Sequence, residues 1–212
     1  MSDSLFELSI ASQAKPFPYG ALATAIYINN KLGSKTHPIS IVSQPLSLHD
    51  PADSSSNAKL LHKSGYLQDL SCYSDCSGAT YTGSNVISKT LAEHLPSAGL
   101  WKEDSKGVVE NASGLLDKLL SSEPAVITQA LGSINESMSF KMHPAGNAFT
   151  VVDLLLWGGI KGNPQSVSVV LSGKYPEIER WYKEFVEVQP FIAQIHAFTK
   201  DSTAVHSNVL LV

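Results

Sequence analysis

The hydrophobic rhythm of the chain changes near its middle. Over Leu5–Ile10, Phe6, Leu8 and Ile10 alternate with Glu7 and Ser9, the period of a half-buried strand. A proline-rich turn at 15–20 leads into 21–32, where Leu22, Ala23, Ile26 and Leu32 recur at helical spacing until Gly33 stops the pattern. Alternation returns at 38–43 through Ile39 and Ile41, so strand, helix and strand imply a parallel pair with a crossover helix. Residues 43–57 read as a polar, turn-rich loop. A short helical piece at 58–63 and short strands at 66–70 and 79–82 follow. Ser84 stands where a cap opens a helix, with Val86, Ile87, Leu91 and Leu95 turned inward and Pro96 as its stop.

From Trp101 the strand period disappears, and helices are predicted over 104–121, 124–138, from Val151, over 176–188 and over 191–200. Over 176–188, Ile178, Trp181, Tyr182, Phe185 and Val188 form one stripe, while Glu179, Arg180, Lys183, Glu184 and Glu187 face elsewhere. Ordinary pairs at i,i+4 spacing join Glu179 to Lys183 and Arg180 to Glu184. The helix from Val151 has almost no polar side, because Val151, Val152, Leu154, Leu155, Leu156, Trp157 and Ile160 cover its circumference, which marks a helix buried on every side. Its start is specified twice: Thr150 and Asp153 have the spacing of a capping box, and Phe149 and Leu154 that of a hydrophobic staple. The tail after Lys200 has no periodicity and is expected to fray.

Composition narrows the function more than the fold. With 212 residues, 43% of them hydrophobic, the chain can bury a sizeable core. A net charge of -4 argues against a basic phosphate-binding surface, so no direct nucleic-acid contact is expected. No apolar leader follows Met1 and no apolar run is long enough for a bilayer, which leaves no membrane contact and a cytoplasmic location as the expectation. Cys72 and Cys76 are read as two reduced thiols rather than half a metal site or a redox pair, since no second pair and no nearby His completes a zinc set. The seven His residues form no H-x-x-x-H pair and read as surface or boundary residues. Neither a G-x-S-x-G elbow nor a P-loop occurs, and Gly173-Lys174 runs into Tyr175 without the leading glycine.

The order of a mixed α/β half followed by an all-helical half, with a capping box and staple opening a buried helix, resembles the glutathione-transferase fold. Three blocks resemble more narrowly the N-terminal transferase-like domain of eukaryotic, especially fungal, cytosolic glutamyl-tRNA synthetases: 18–25 after the first strand, 148–163, and Arg180-Trp181-Tyr182 with Gln189-Pro190-Phe191. The resemblance implies a thioredoxin-like subdomain with a mixed four-stranded sheet over 1–97, an all-helical subdomain over 98–200, and a tail or linker over 201–212. It implies that this part performs no chemistry and holds no cofactor or metal. ATP and Mg²⁺ would belong to a catalytic core beyond residue 212. It implies docking onto a matching transferase-like domain of a scaffold or tRNA-binding cofactor protein, in a multi-synthetase complex, with a homodimer as a further possibility.

An active glutathione transferase is the alternative. That chemistry needs a Tyr or Ser hydroxyl just after the first strand, near which Ser9 and Ser12 stand, and a cis-proline before the third strand. No proline occurs between Pro51 and Pro96, and Gly83 stands where such enzymes place an acid before the serine. For docking, the resemblance points to the helix from Pro176 and the loop before it. Arg180 matches a family arginine expected to bridge to a partner carboxylate or to stack on its mate, and lysine does not reproduce the bidentate carboxylate geometry. The expected partner-binding residues are Arg180, Tyr175, Glu177, Lys174 and Tyr182, with the helix at 85–95 as a second candidate face.

Overall fold

The computed structural model describes residues 6–11, 15–33, 38–44, 58–62, 79–102 and 106–201. The expected strand at 66–70, both cysteines, Ser12, most of the 43–57 loop and the tail after Asp201 lie outside these described residues.

Strand β1 (Phe6–Ala11) runs parallel to β2 (Ile39–Gln44) and antiparallel to β3 (Ala58–His62), which pairs antiparallel with β4 (Thr80–Thr82). The sheet order is β2-β1-β3-β4. The mixed four-stranded sheet is therefore present, but its third strand is the segment the sequence reads as helical. Ala, Lys and Leu favour helix locally, yet five residues are too few to stand as a helix. Against the free edge of β1 the same residues complete a ladder, so pairing overrides propensity.

Helix α1 (Tyr19–Leu32) crosses over between the parallel strands and packs beside α2 (Ser84–His94) against the sheet. Phe6, Leu8 and Ile10 are buried on that side, and the Phe6 ring meets the His94 ring edge-on at 6.0 Å. Ile87 and Leu91 face inward as expected, whereas Val86 is exposed: it sits about 100° around the helix from Ile87 and belongs to the solvent side. A single 3₁₀ turn follows at Pro96–Ala98.

The helical part comprises α3 (Lys106–Leu119), α4 (Pro124–Ser137), α5 (Val151–Gly162), α6 (Pro164–Val170), α7 (Pro176–Val188) and α8 (Phe191–Asp201). The short α6 carries too few residues to show a period, and the sequence reading misses it. Asn163 caps it, accepting the Gln165 N–H at 3.0 Å while its amide donates to the carbonyls of Leu119 at 2.9 Å and Ser121 at 3.0 Å. One side chain thereby closes the end of α3 and the start of α6.

Every residue of α5 from Val151 to Ile160 is buried, as its apolar circumference requires. It lies between α1 and α3, and glycine sets how closely. A methyl at Gly158 would sit 2.3 Å from the Gly20 nitrogen, and one at Gly159 would sit 2.5 Å from Leu116 Cδ1. At the first position backbone meets backbone across two helices, which no residue with a Cβ permits. Phe149 stacks on Tyr27 at 5.1 Å and on Phe185 at 5.8 Å, and Phe185 stacks on Trp157 at 5.2 Å. That column joins α1, α7 and α5 through the residue expected to staple onto Leu154, which is itself wholly buried.

Candidate docking face

Helix α7 is strongly two-faced. Ile178, Trp181, Tyr182 and Phe185 are buried, while Glu177, Glu179, Arg180, Lys183 and Glu184 reach solvent to differing degrees. Pro176 opens the helix and Tyr175 makes no side-chain cap. The cap comes from α4 instead, where Asn135 Oδ1 accepts the N–H groups of Glu177 at 3.0 Å and Ile178 at 3.3 Å. Tyr175 is anchored by its hydroxyl, which donates to the Thr128 carbonyl at 3.0 Å, and Lys174 Nζ lies 5.3 Å from the centre of its ring.

Arg180 is held in place by three contacts. Nη1 donates to Glu184 Oε2 at 3.1 Å, and Nη2 donates to Glu177 Oε2 at 3.3 Å and to the Lys141 carbonyl at 3.0 Å. Both ion pairs are exposed and add at most about 1 kcal/mol each to stability. Their effect is geometric: the guanidinium plane is oriented while its side chain stays 39% exposed.

The bond to Lys141 reaches the turn between α4 and α5, whose exposed side chains the sequence reading does not single out. Phe140 has φ 62°, a left-handed backbone that costs a non-glycine residue about 1–2 kcal/mol, and its ring is fully exposed. Met142 is exposed as well. Buried Met138 anchors the turn from within, and its carbonyl accepts the Lys141 N–H at 2.9 Å. Two apolar side chains thus stand in solvent within a few residues of each other, beside an oriented arginine and a carboxylate rim.

Behind this face lies a buried polar centre. Asp153 is wholly inaccessible to solvent, and its carboxylate accepts from the Thr150 N–H at 2.9 Å, the Thr150 hydroxyl at 3.3 Å, the Trp181 indole N–H at 3.0 Å and His143 Nδ1 at 2.8 Å. A carboxylate only accepts, so Nδ1 of His143 carries the hydrogen. Thr150 Oγ1 in turn accepts the Val152 N–H at 3.3 Å, and the Val151 N–H reaches the Leu100 carbonyl at 3.1 Å. The first-turn amides of α5 are therefore satisfied although the helix end is buried. His143 is no free surface histidine: its hydrogen bond to Asp153 raises its pKa above the usual imidazole value of 6.5, against the opposing effect of partial burial. The signal for this site was present in the capping box, since an acid at the third position of an all-apolar helix has a second oxygen that must find donors.

Of the expected partner-binding residues, Arg180, Glu177, Lys174 and Tyr175 lie along the start of α7 and the loop before it. Tyr182 does not share their surface. It is 6% exposed, on the inward stripe with Ile178 and Trp181, and burial, followed by the neighbouring Tyr19, pushes its hydroxyl up to about 12. Ser84 differs from its expected role too. It is the first residue of α2 after Gly83 and makes no cap for its own helix; its hydroxyl accepts the Ala21 N–H at 2.9 Å and so caps α1. The Ser9 hydroxyl is buried in mid-strand and finds no hydrogen-bond partner among the described residues. The third strand begins at Ala58, directly after Asn57, so no proline immediately precedes it in the sequence. Pro51, the nearest proline upstream, lies outside the described residues. Among the described residues no cluster of His, Cys, Asp and Glu has the make-up of a metal site, and no helix is long and apolar enough to cross a membrane.

A thioredoxin-like sheet with α1 and α2 on it, followed by a helical layer built on a capped, buried helix, is the glutathione-transferase fold. Solved structures agree: glutathione transferase YghU from Streptococcus pneumoniae, complexed with glutathione, has a TM-score of 0.62 at 15% identity over 97% of this chain and 85% of that one. A chain from the crystal structures of two binary sub-complexes of the yeast aminoacyl-tRNA synthetase complex has a TM-score of 0.67 at 18% identity, over 93% and 95% of the two chains. At these identities the likeness defines the fold alone. In sequence the chain is homologous to the probable cytoplasmic glutamate–tRNA ligase of Schizosaccharomyces pombe, 27% identical over 198 residues. The match covers 91% of this chain and 25% of that protein, so the chain spans a quarter of its relative's length. No family model matches the chain.

Proposed function

We propose that this chain is a non-catalytic docking module of a cytoplasmic glutamate–tRNA ligase, which joins the transferase-like domain of a scaffold or tRNA-binding cofactor protein in a multi-synthetase complex. The observation that carries the reading is the face formed by α7 and the 138–147 turn, where a triply bonded Arg180 stands beside the exposed Phe140 and Met142. Aromatic and arginine anchors inside a polar rim are what a protein interface requires. Homology to a glutamate–tRNA ligase supports the parent enzyme, and the fold shared with a chain of the yeast synthetase sub-complexes supports the manner of assembly. On this reading the ATP and Mg²⁺ chemistry belongs to the rest of the ligase.

The test is to mix the chain with the transferase-like domain of a synthetase scaffold and follow the mass of the complex by sedimentation. Arg180→Ala is expected to weaken docking by about tenfold or more. Phe140→Gly separates binding from folding. It relieves the left-handed backbone, so stability should hold or rise by about 1 kcal/mol, while docking weakens. Docking that is unchanged in both variants would show that another face is used. Retention on glutathione-agarose together with conjugation turnover would replace the reading by a glutathione-dependent enzyme.

A further inference from the structure

The 138–147 turn is fastened at two points of different kinds. At its outer end the Arg180 guanidinium, charged at any ordinary pH, donates to the Lys141 carbonyl. At its inner end His143 donates to Asp153. The other donors to that carboxylate, the Thr150 amide and hydroxyl and the Trp181 indole, do not titrate in the ordinary range. We propose that His143 is a proton-operated latch: its charged ring holds the 138–147 turn, with Phe140 and Met142, firmly against α5 and α7, and its deprotonation leaves only a neutral Nδ1–H donor, so that the turn opens more readily.

Geometry couples the ring to the turn. The His143 N–H donates to the Gly146 carbonyl at 2.8 Å and the Gly146 N–H returns to the His143 carbonyl at 3.0 Å, around a buried Pro144. The Phe149 ring meets the imidazole edge-on at 5.9 Å. The ring is thus joined to Asp153 from a backbone position that is itself pinned within the turn. Beyond the latch and Arg180, the bonds of the exposed stretch among the described residues are those from the Lys141 N–H to Met138 and the Ser139 N–H to Glu136, and a long 3.4 Å contact from the Met142 N–H to Asn147 Oδ1, the sparse bonding of a segment that opens locally. Asp153 on α5 and Glu184 on α7 favour the charged ring, and Arg180 on α7 opposes it. From α1, the pKa of Tyr27 is raised by burial and, secondarily, by the same Asp153 charge. Lys141 is the exposed cation on the turn itself. The Asp153 bond is the largest of these effects on His143, and the sign follows: the contribution of the charge is complete below the ordinary imidazole value of 6.5 and is lost as pH rises through the raised value.

The latch is a property of the free chain, and only its relevance to assembly rests on the docking reading. Chymotrypsin cleaves after exposed aromatic residues, so nicking after Phe140, corrected for the protease's own pH profile on a small peptide, reports opening. One linked proton allows the wild-type rate to climb by up to about tenfold per pH unit above 6.5 and then to level off. His143→Gln, which keeps an amide donor but does not titrate, should give a flat profile. A flat wild-type profile, or the same rise in both proteins, overturns the latch. Should the variant fail to fold, wild-type NMR decides: exchange of the Trp181 indole N–H must accelerate with the midpoint of the His143 titration, and different midpoints overturn the proposal. A working latch with no docking, or docking with no pH dependence, keeps the two ideas apart.

Discussion

Asp153 shows how one residue is asked to do two jobs. Its Oδ2 completes the capping box with Thr150, and its Oδ1 gathers Trp181 from α7 and His143 from the turn. A buried carboxylate is tolerated only with its acceptor sites filled, and the groups that fill it become dependent on it in turn. Asp153→Ala strips an acceptor from three residues at once and should lower stability by about 3–5 kcal/mol in urea unfolding. Trp181→Phe, which removes one neutral donor, should cost nearer 1–2 kcal/mol. His143→Ala carries a pH signature. Because the folded-state pKa lies above the unfolded one, the stabilisation is complete below about 6.5 and is lost as pH rises through the raised value. The cost of the variant should be about 1–3 kcal/mol at pH 6 and shrink in alkaline buffer. A cost independent of pH would mean that the ring serves only as packing and as a neutral hydrogen-bond donor.

At the scale of elements, the joint between α1 and α5 is set by what the helices lack. Gly158 and Gly20 let two backbones touch, and a methyl at Gly158 would meet the Gly20 nitrogen and Cα at 2.3 and 2.5 Å. Neither contact is with a flexible side chain, so the helices themselves must separate. Gly158→Ala should therefore cost about 3 kcal/mol or more, despite the better helix propensity of alanine. Gly114, exposed in the middle of α3 with nothing within 4 Å of its missing methyl, should behave in the opposite way. Gly114→Ala is expected to stabilise by about 0.4–1 kcal/mol. Thermal melts of the two variants side by side separate a packing glycine from an incidental one. The same scale explains the borrowed caps: Ser84 serves α1 and Asn135 serves α7, each from another helix.

Across the whole molecule the buried residues form one apolar cluster that runs from Phe6 and Leu8 of the sheet through α1 and α5 to Phe198 of α8. Such continuity predicts one cooperative transition. Unfolding in urea followed by far-ultraviolet circular dichroism and by fluorescence of Trp101, Trp157 and Trp181 should give coincident curves with one midpoint. Two separated transitions would show that the Gly20–Gly158 seam does not couple the sheet to the helical layer.

What the chain determines by itself are the features written in consecutive residues. The alternation at Phe6–Ile10, the capping box at Thr150 and Asp153, the apolar circumference of α5 and the two faces of α7 depend on spacings of two to four positions, and each can be counted off directly. Tertiary structure decides whatever depends on a neighbour distant in sequence. The 58–62 segment became a strand because β1 offered an edge, and Ser84 capped α1 because it lay 2.9 Å from the Ala21 amide. His143 became the ion-pair partner of Asp153 because the turn folds back ten residues along the chain, whereas the burial of Tyr182 follows the stripe already countable in α7. The physical reason is the same each time. A periodic pattern states which face seeks an apolar environment, but the partner that completes a hydrogen bond or a ladder is chosen only when the packed chain brings it within about 3 Å.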